Sequence, residues 1–230
     1  MKNSLGILVL FFLKREIIIQ INKIKFLYYF VKEYRILGFL CYLIDKSVIP
    51  SRDKIFRNYI LKNSKKWKFK KEFTNKNTDK YILITNMVNH FGYTISEIVI
   101  GKNLIEMFEC EGIGLLRKYD LKSKLIFESF GIKKFIFLND LNFFKRIKYF
   151  LEACSIIKSC KTMDNFIKFS LNDVKIGVAV YDNFLRFTGI GTINHFNYKI
   201  YFFLSQALSI YYQMKKNYDK FEFIACVQTE

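Results

Sequence analysis

From Tyr81 to Cys160 the chain alternates short apolar runs with segments of helical periodicity, and few architectures accommodate that alternation. Tyr81–Thr85 is a β-rich run and the candidate first strand. A polar turn, Asn86–Tyr93, follows it and carries His90 and Gly92. Thr94–Cys110 has helical spacing, with Ile95, Ile98, Val99, Leu104, Ile105 and Phe108 on one face. Thr94 or Ser96 is the expected cap, and Glu97 suits the first turn. Gly112–Leu116 reads as a second strand, Leu121–Phe130 as a short helix closed by Gly131, and Lys134–Leu138 as a third strand. Leu141–Cys160 reads as a helix capped by Asn139 or Asp140. Strand and helix in units of about 25 residues predict βαβ crossovers. The expected fold class is α/β, a Rossmann-like parallel sheet flanked by helices, its strands covered on both faces.

Beyond that core, Thr162–Leu171 is a further short helix. Tyr198–Lys215 is a long aromatic helix, interrupted by Ser205, Gln206 and Ser209. Those breaks leave it short of the ~18 apolar residues of a membrane span, so it is expected in the core. Phe221–Val227 is an apolar, buried-type strand, and the sequence stops three residues later at Glu230. A doubly wound domain normally continues into a loop and a helix after such a strand. The expectation is therefore an N-terminal domain, residues 81–230, incomplete at its C-terminal end.

Residues 1–80 have a different character. They hold 19 Lys or Arg against 6 Asp or Glu, a net of +13, whereas residues 81–230 hold 19 against 14, a net of +5. Leu5–Leu13 is an apolar run too short to span a bilayer, and no small-residue cleavage site follows it. Residues 16–45 read as a helix, with Ile17, Ile18, Ile21, Ile24, Leu27, Tyr28 and Val31 at three- and four-residue steps and Lys23, Lys25, Lys32 and Arg35 between them. That pattern suits an interfacial helix or a surface helix packed on the domain. Lys62–Lys80 is a basic linker or exposed arm in which Trp67 and Phe69 interleave with lysines. Residues 1–80 are expected to be a basic helical extension and linker. Its field attracts anionic lipid headgroups, nucleic acid or phosphorylated substrates.

Cys41, Cys110, Cys154, Cys160 and Cys226 are scattered, without CxxC spacing, and read as reduced, buried thiols of a cytoplasmic protein. With His90 and His195 the only imidazoles, no metal site is expected. A lone Gly92 in place of GxGxxG disfavours a dinucleotide-binding enzyme. No GxxxxGK[ST] or GxSxG occurs, which argues against a P-loop NTPase and an α/β-hydrolase.

Two constellations carry candidate chemistry. Asn89, His90 and Gly92 lie between the first strand and a helix, where a loop faces the ligand crevice and free N–H groups attract an anion. His90 there is an acid/base or acceptor-binding candidate, or a loop residue capping a turn. Tyr181, Asp182 and Arg186 form the second. On a helix, Asp182 and Arg186 share a face, either as base and phosphate ligand or as a structural ion pair. Gly177 is expected to permit a turn before them.

The stretch Ile176–Thr188, Ile-Gly-Val-Ala-Val-Tyr-Asp-Asn-Phe-Leu-Arg-Phe-Thr, resembles a Tyr-Asp…Arg signature of bacterial surface-polysaccharide (capsule and O-antigen) biosynthesis proteins. Those proteins are glycosyltransferase-like, of the GT-B type, with two facing Rossmann-like domains. The resemblance covers roughly Tyr81 to Glu230. It implies an acceptor-side N-terminal domain with His90 and Asp182 as catalytic candidates and Asn89, Gly92, Tyr181 and Arg186 as substrate-binding candidates. It also implies a nucleotide-sugar donor held by a C-terminal domain, with no cofactor in this chain. The sequence departs from the signature at Val178, where an acidic residue often follows the glycine. Expected partners are a lipid-linked or saccharide acceptor, the missing C-terminal domain and anionic lipid of the inner leaflet, with nucleic acid not expected. The expected location is cytoplasmic, peripheral at the inner membrane. The alternative is a non-enzymatic membrane-surface or nucleic-acid-binding protein on an α/β scaffold.

Overall fold

The structure is a computed structural model that describes residues 2–67, 79–86, 90–118, 120–138 and 141–228. The chain divides into two compact units, one comprising Met1–Glu72 with Leu121–Lys133, the other Phe73–Asp120 with Lys134–Glu230.

The first unit is helical. The apolar run near the N-terminus and most of the expected helix form one element, α1 (Lys2–Tyr34). It stops where Arg35 takes φ 56°, and α2 (Ile36–Ile44) begins at once. A left-handed φ is uncommon for a residue with a side chain, so Arg35 marks a sharp change of direction that helical periodicity does not reveal. Asp53 caps α3 (Lys54–Lys66), its carboxylate accepting from the Ile55 and Phe56 amides. Lys62–Lys66, expected in a linker, are therefore the last turns of a helix. The remainder of the basic arm, residues 68–78, lies outside the described residues. The unit is completed by α5 (Leu121–Ser129), which the sequence reading assigned to the α/β domain. Two long-range contacts lie within this grouping. Tyr42 of α2 donates to Glu128 at 2.8 Å, and Trp67 lies 5.5 Å from the Phe130 ring. Burial, then the hydrogen bond to Glu128, pushes the Tyr42 hydroxyl well above the usual tyrosine range. After α5, Gly131 takes φ 89°, the left-handed C-terminal position expected of it.

The second unit is α/β. Strands β1 (Lys80–Thr85), β2 (Glu111–Arg117), β3 (Lys134–Leu138) and β4 (Glu222–Val227) form a sheet in the order β3-β2-β1-β4. All pairings are parallel. This is the Rossmann-like parallel sheet flanked by helices that the alternating sequence predicts. Successive β1 side chains point to opposite faces. On one face Ile84 meets α4 (Phe91–Phe108) so closely that a β carbon on Gly101 would overlap it. On the other, Leu83, Ile113, Leu115, Ile136 and Leu138 pack with Ile210 and Met214 of α9 (Tyr198–Tyr218).

A second apolar cluster joins α6 (Phe143–Cys160), α7 (Met163–Ile167), α8 (Ile176–Thr188) and α9, centred on Phe166, Phe184, Ile200 and Leu204. Asn142 caps α6 through the Lys145 amide, and the expected caps Asn139 and Asp140 lie outside the described residues. Asn197 caps α9, its side-chain oxygen accepting from the Lys199 amide. Leu171 and Val174 pair across Asn172 and Asp173, both at positive φ, in a tight turn.

The strand β4 corrects its buried-type reading. It lies at the sheet's edge, and its side chains alternate between exposed and half-buried along most of its length. That exposure includes Cys226; Cys41 is exposed too and Cys154 is half-buried, so of the five thiols Cys110 and Cys160 alone are buried. Among the described residues, no helix is long and apolar enough to cross a membrane.

Candidate functional site

In the order β3-β2-β1-β4 the chain winds outward from β1 in both directions. In open parallel sheets ligands bind at the carboxyl ends of the two strands that flank such a reversal, β1 and β4 here. The residues at that edge are tied by a polar network. The Thr85 hydroxyl donates to the Val227 carbonyl at 3.2 Å and pins β1 to β4. The Asn86 amide extends the β1–β2 ladder to the Leu115 carbonyl. The Thr94 hydroxyl lies 3.0 Å from both Asn86 Oδ1 and the His90 carbonyl, and Asn86 Nδ2 reaches Asp120 Oδ2 at 3.4 Å. Thr85, Asn86 and Thr94 are buried. One side chain, Asn86, thus links the exits of β1 and β2 to the first turn of α4.

These bonds explain where α4 starts. The helix begins three residues before the expected Thr94, and His90 is its N-cap. Thr94 is turned inward to Asn86, and Ser96 bonds back to the Gly92 carbonyl at 3.0 Å, so neither caps the helix. The His90 side chain makes no capping bond. It is exposed, 5.1 Å from the Tyr93 ring, and its imidazole stands 3.4 Å from where a β carbon on Gly92 would be. The N–H groups of the first turn of a helix lack intrahelical partners. His90 and Gly92 therefore stand where a dipole end and a polar side chain meet solvent at the carboxyl edge of the sheet. Asn89 lies outside the described residues, as do Met87 and Val88.

The second constellation is helical throughout. Ile176–Thr188 is α8, and Gly177 lies inside it rather than at a turn. A β carbon there would overlap the Phe166 carbonyl oxygen, so the glycine serves the close crossing of α7 and α8. Asp182 and Arg186 are both exposed, and among the described residues no ion pair joins them. Tyr181 is half-buried. Its hydroxyl meets Thr192 Oγ1 at 2.9 Å and the Ile193 amide at 3.4 Å, which ties the loop after α8 to the helix. Gly189, at φ 68°, ends α8.

The structure keeps the two constellations on different elements. His90 starts a helix that covers the sheet, whereas α8 packs on α7 and α9. No hydrogen bond, ion pair or ring contact joins them among the described residues. The network of Thr85, Asn86, Thr94 and Asp120 was not singled out from the sequence. The signal available was Thr-Asn at the end of an apolar strand. The chain defines an α/β protein with a parallel sheet and a polar network at the sheet's carboxyl edge. In comparisons with protein-family models, curated proteins and solved structures, nothing matches it.

Proposed function

We propose that this protein is the acceptor-side domain of a glycosyltransferase-like protein of surface-polysaccharide biosynthesis. The observation that carries the reading is the strand order, which puts the switch between β1 and β4 beside the start of α4. Open parallel sheets take their ligands at such a point. In this reading His90 faces the acceptor as general base. It takes the proton of the acceptor hydroxyl as that oxygen bonds the anomeric carbon, and the nucleoside phosphate leaves with the electron pair of the broken bond. Gly92 lines the acceptor beside it, and Asn89, outside the described residues, is the further acceptor-binding residue of this reading. Asp182, Tyr181 and Arg186 hold acceptor hydroxyls or phosphate from α8, the exposure of Asp182 and Arg186 being what supports this. The nucleotide sugar is brought by a second domain. A lipid-linked acceptor accounts for a basic N-terminal unit, and the protein works in the cytoplasm at the inner leaflet.

The test is a calorimetric titration of the full chain with glucose 1-phosphate and with inorganic phosphate. Binding that His90→Ala weakens tenfold or more, with an unchanged unfolding midpoint, is the expected result. The second reading, a basic membrane-surface or nucleic-acid-binding protein on an α/β scaffold, is favoured by the net +13 of residues 1–80. Salt-sensitive polyanion binding that survives both His90→Ala and Asp182→Ala, without any sugar-phosphate binding, would replace the first reading by the second.

A further inference from the structure

The face of α1 that carries Leu10, Leu13, Ile17, Ile21, Ile24 and Leu27 is open to solvent. Each of these side chains is at least 44% exposed, and Ile24 reaches 68%. Their spacing of three, four, four, three and three residues makes one continuous stripe along the helix. The packed side of α1 adjoins the stripe, with Phe12, Glu16 and Tyr34 buried. So protein covers α1 on one side, and the stripe beside it stays open. The next helix repeats the arrangement. Tyr42 is buried, while Leu37, Leu40 and Ile44 of α2 are 76%, 50% and 89% exposed. Contiguous exposed apolar surface of this extent marks a docking surface, whereas isolated exposed side chains do not.

Charge identifies what docks. The α1 stripe contains no carboxylate. Exposed Lys14, Lys25 and Lys32 share one flank of it, spaced eleven and seven residues apart, three and two helical turns. A second copy packed stripe to stripe would set lysine against lysine, with no acid among the described residues of that flank to offset them. A bilayer with anionic headgroups accepts both parts, since the apolar stripe sinks into the acyl boundary and the lysines extend to phosphate. We infer that α1 and α2 lie in the plane of an anionic bilayer surface, the stripe of α1 inward and Lys14, Lys25 and Lys32 at headgroup level. This rests on the peripheral placement proposed for the N-terminal unit and names the surface that makes it.

The test is flotation of the full chain with vesicles of phosphatidylcholine alone and of phosphatidylcholine with phosphatidylglycerol. The chain is expected to float with the anionic vesicles and to be released by salt. Ile17→Glu with Ile24→Glu is expected to abolish flotation. Both positions are exposed, so far-UV circular dichroism is expected to stay that of the wild type. Removing three lysines as Lys14→Gln, Lys25→Gln and Lys32→Gln lowers partitioning by about a hundredfold, at about 1 kcal/mol per cation near the surface. In an Ile24→Trp, Trp67→Phe variant, lipids brominated high on the acyl chain should quench the new indole. Absence of flotation by the wild type, or flotation unaffected by the two glutamates, overturns the inference. So does a wild-type dimer in light scattering that the glutamates dissociate, which would make the stripe a self-association seam. None of these outcomes bears on the sugar-phosphate titration, which reads the edge of the sheet.

Discussion

Gly177 approaches the Phe166 carbonyl so closely that no β carbon fits between them, and the Ile167 carbonyl would stand 2.9 Å from that carbon. The same glycine donates its amide to the Phe169 carbonyl at 2.9 Å. Gly177 thus serves the junction of two helices. Elsewhere in a helix, replacing glycine by alanine stabilises by about 1 kcal/mol. Here backbone must move, so Gly177→Ala is expected to destabilise by roughly 1–3 kcal/mol. Urea unfolding reads the sign directly, and a stabilised variant would contradict the crossing described.

Tyr212 on α9 donates to Glu152 on α6 at 2.6 Å and stacks on Tyr149 at 5.3 Å. The bond to Glu152, then burial, pushes the Tyr212 hydroxyl up to about 12. The folded state therefore holds this proton more tightly than the unfolded chain, whose tyrosine titrates near 10. Its contribution to stability is complete below pH 10 and is lost as the pH rises through about 12. The difference in unfolding free energy between the wild type and Tyr212→Phe should be constant up to about pH 10 and shrink above it. A difference that grows with pH in that range would reverse the assignment.

Thr94 and Asn86 are buried together, 3.0 Å apart, with the threonine hydroxyl as donor. Thr94→Val keeps the volume and removes the hydroxyl that bonds Asn86 Oδ1 inside the fold. A cost of about 1–3 kcal/mol is expected. Thermal unfolding measures it, and protection of the Asn86 amide against hydrogen exchange should fall as the exit of β1 loosens. A Thr94→Val protein as stable as the wild type would mean the network does not hold the loop.

Asp173 sits at φ 67° in the tight turn between Leu171 and Val174. The left-handed region costs an ordinary residue about 1–2 kcal/mol and glycine almost nothing. With Asn172 preceding it, Asp173→Gly creates the Asn-Gly pair that such turns favour. Stability should rise by roughly 1 kcal/mol in chemical denaturation. A neutral or destabilising result would show that the carboxylate has a role in the turn.

The sheet was legible because its evidence is local. Tyr81–Thr85, Gly112–Leu116 and Lys134–Leu138 are apolar runs with loops at both ends, and the strands follow them to within two residues. The helices between them carry a 3.6-residue repeat for the same reason. The limits of elements were harder to read. His90 rather than Thr94 starts α4 because a side chain eight residues back, Asn86, takes the threonine hydroxyl. The break at Arg35 leaves the periodicity on either side intact. The exposure of β4 depends on its place in the strand order, and apolar content cannot report that. The stripe on α1 was visible as a repeat, but its solvent exposure depends on Phe12 and Glu16 facing inward instead. For the candidate site, the chemistry of Asp182 and Arg186 at four-residue spacing suggested a pair, yet no ion pair joins them. Helical phase sets which face a residue occupies, and it leaves long side chains in water free to stay apart.

The bond from Tyr42 to Glu128 spans 86 positions of the chain. The N-terminal helices therefore acquire one of their partners only after β1, α4 and β2 have been made. During synthesis those helices must wait, with an apolar stripe already formed, until residue 128 has emerged. A contact of such long range slows folding, because the loop must close before the contact can reward it. Removing the first 80 residues would likewise deprive Glu128 and Phe130 of Tyr42 and Trp67. The basic region is thus no detachable appendage. Its order of assembly is written into the middle of the chain.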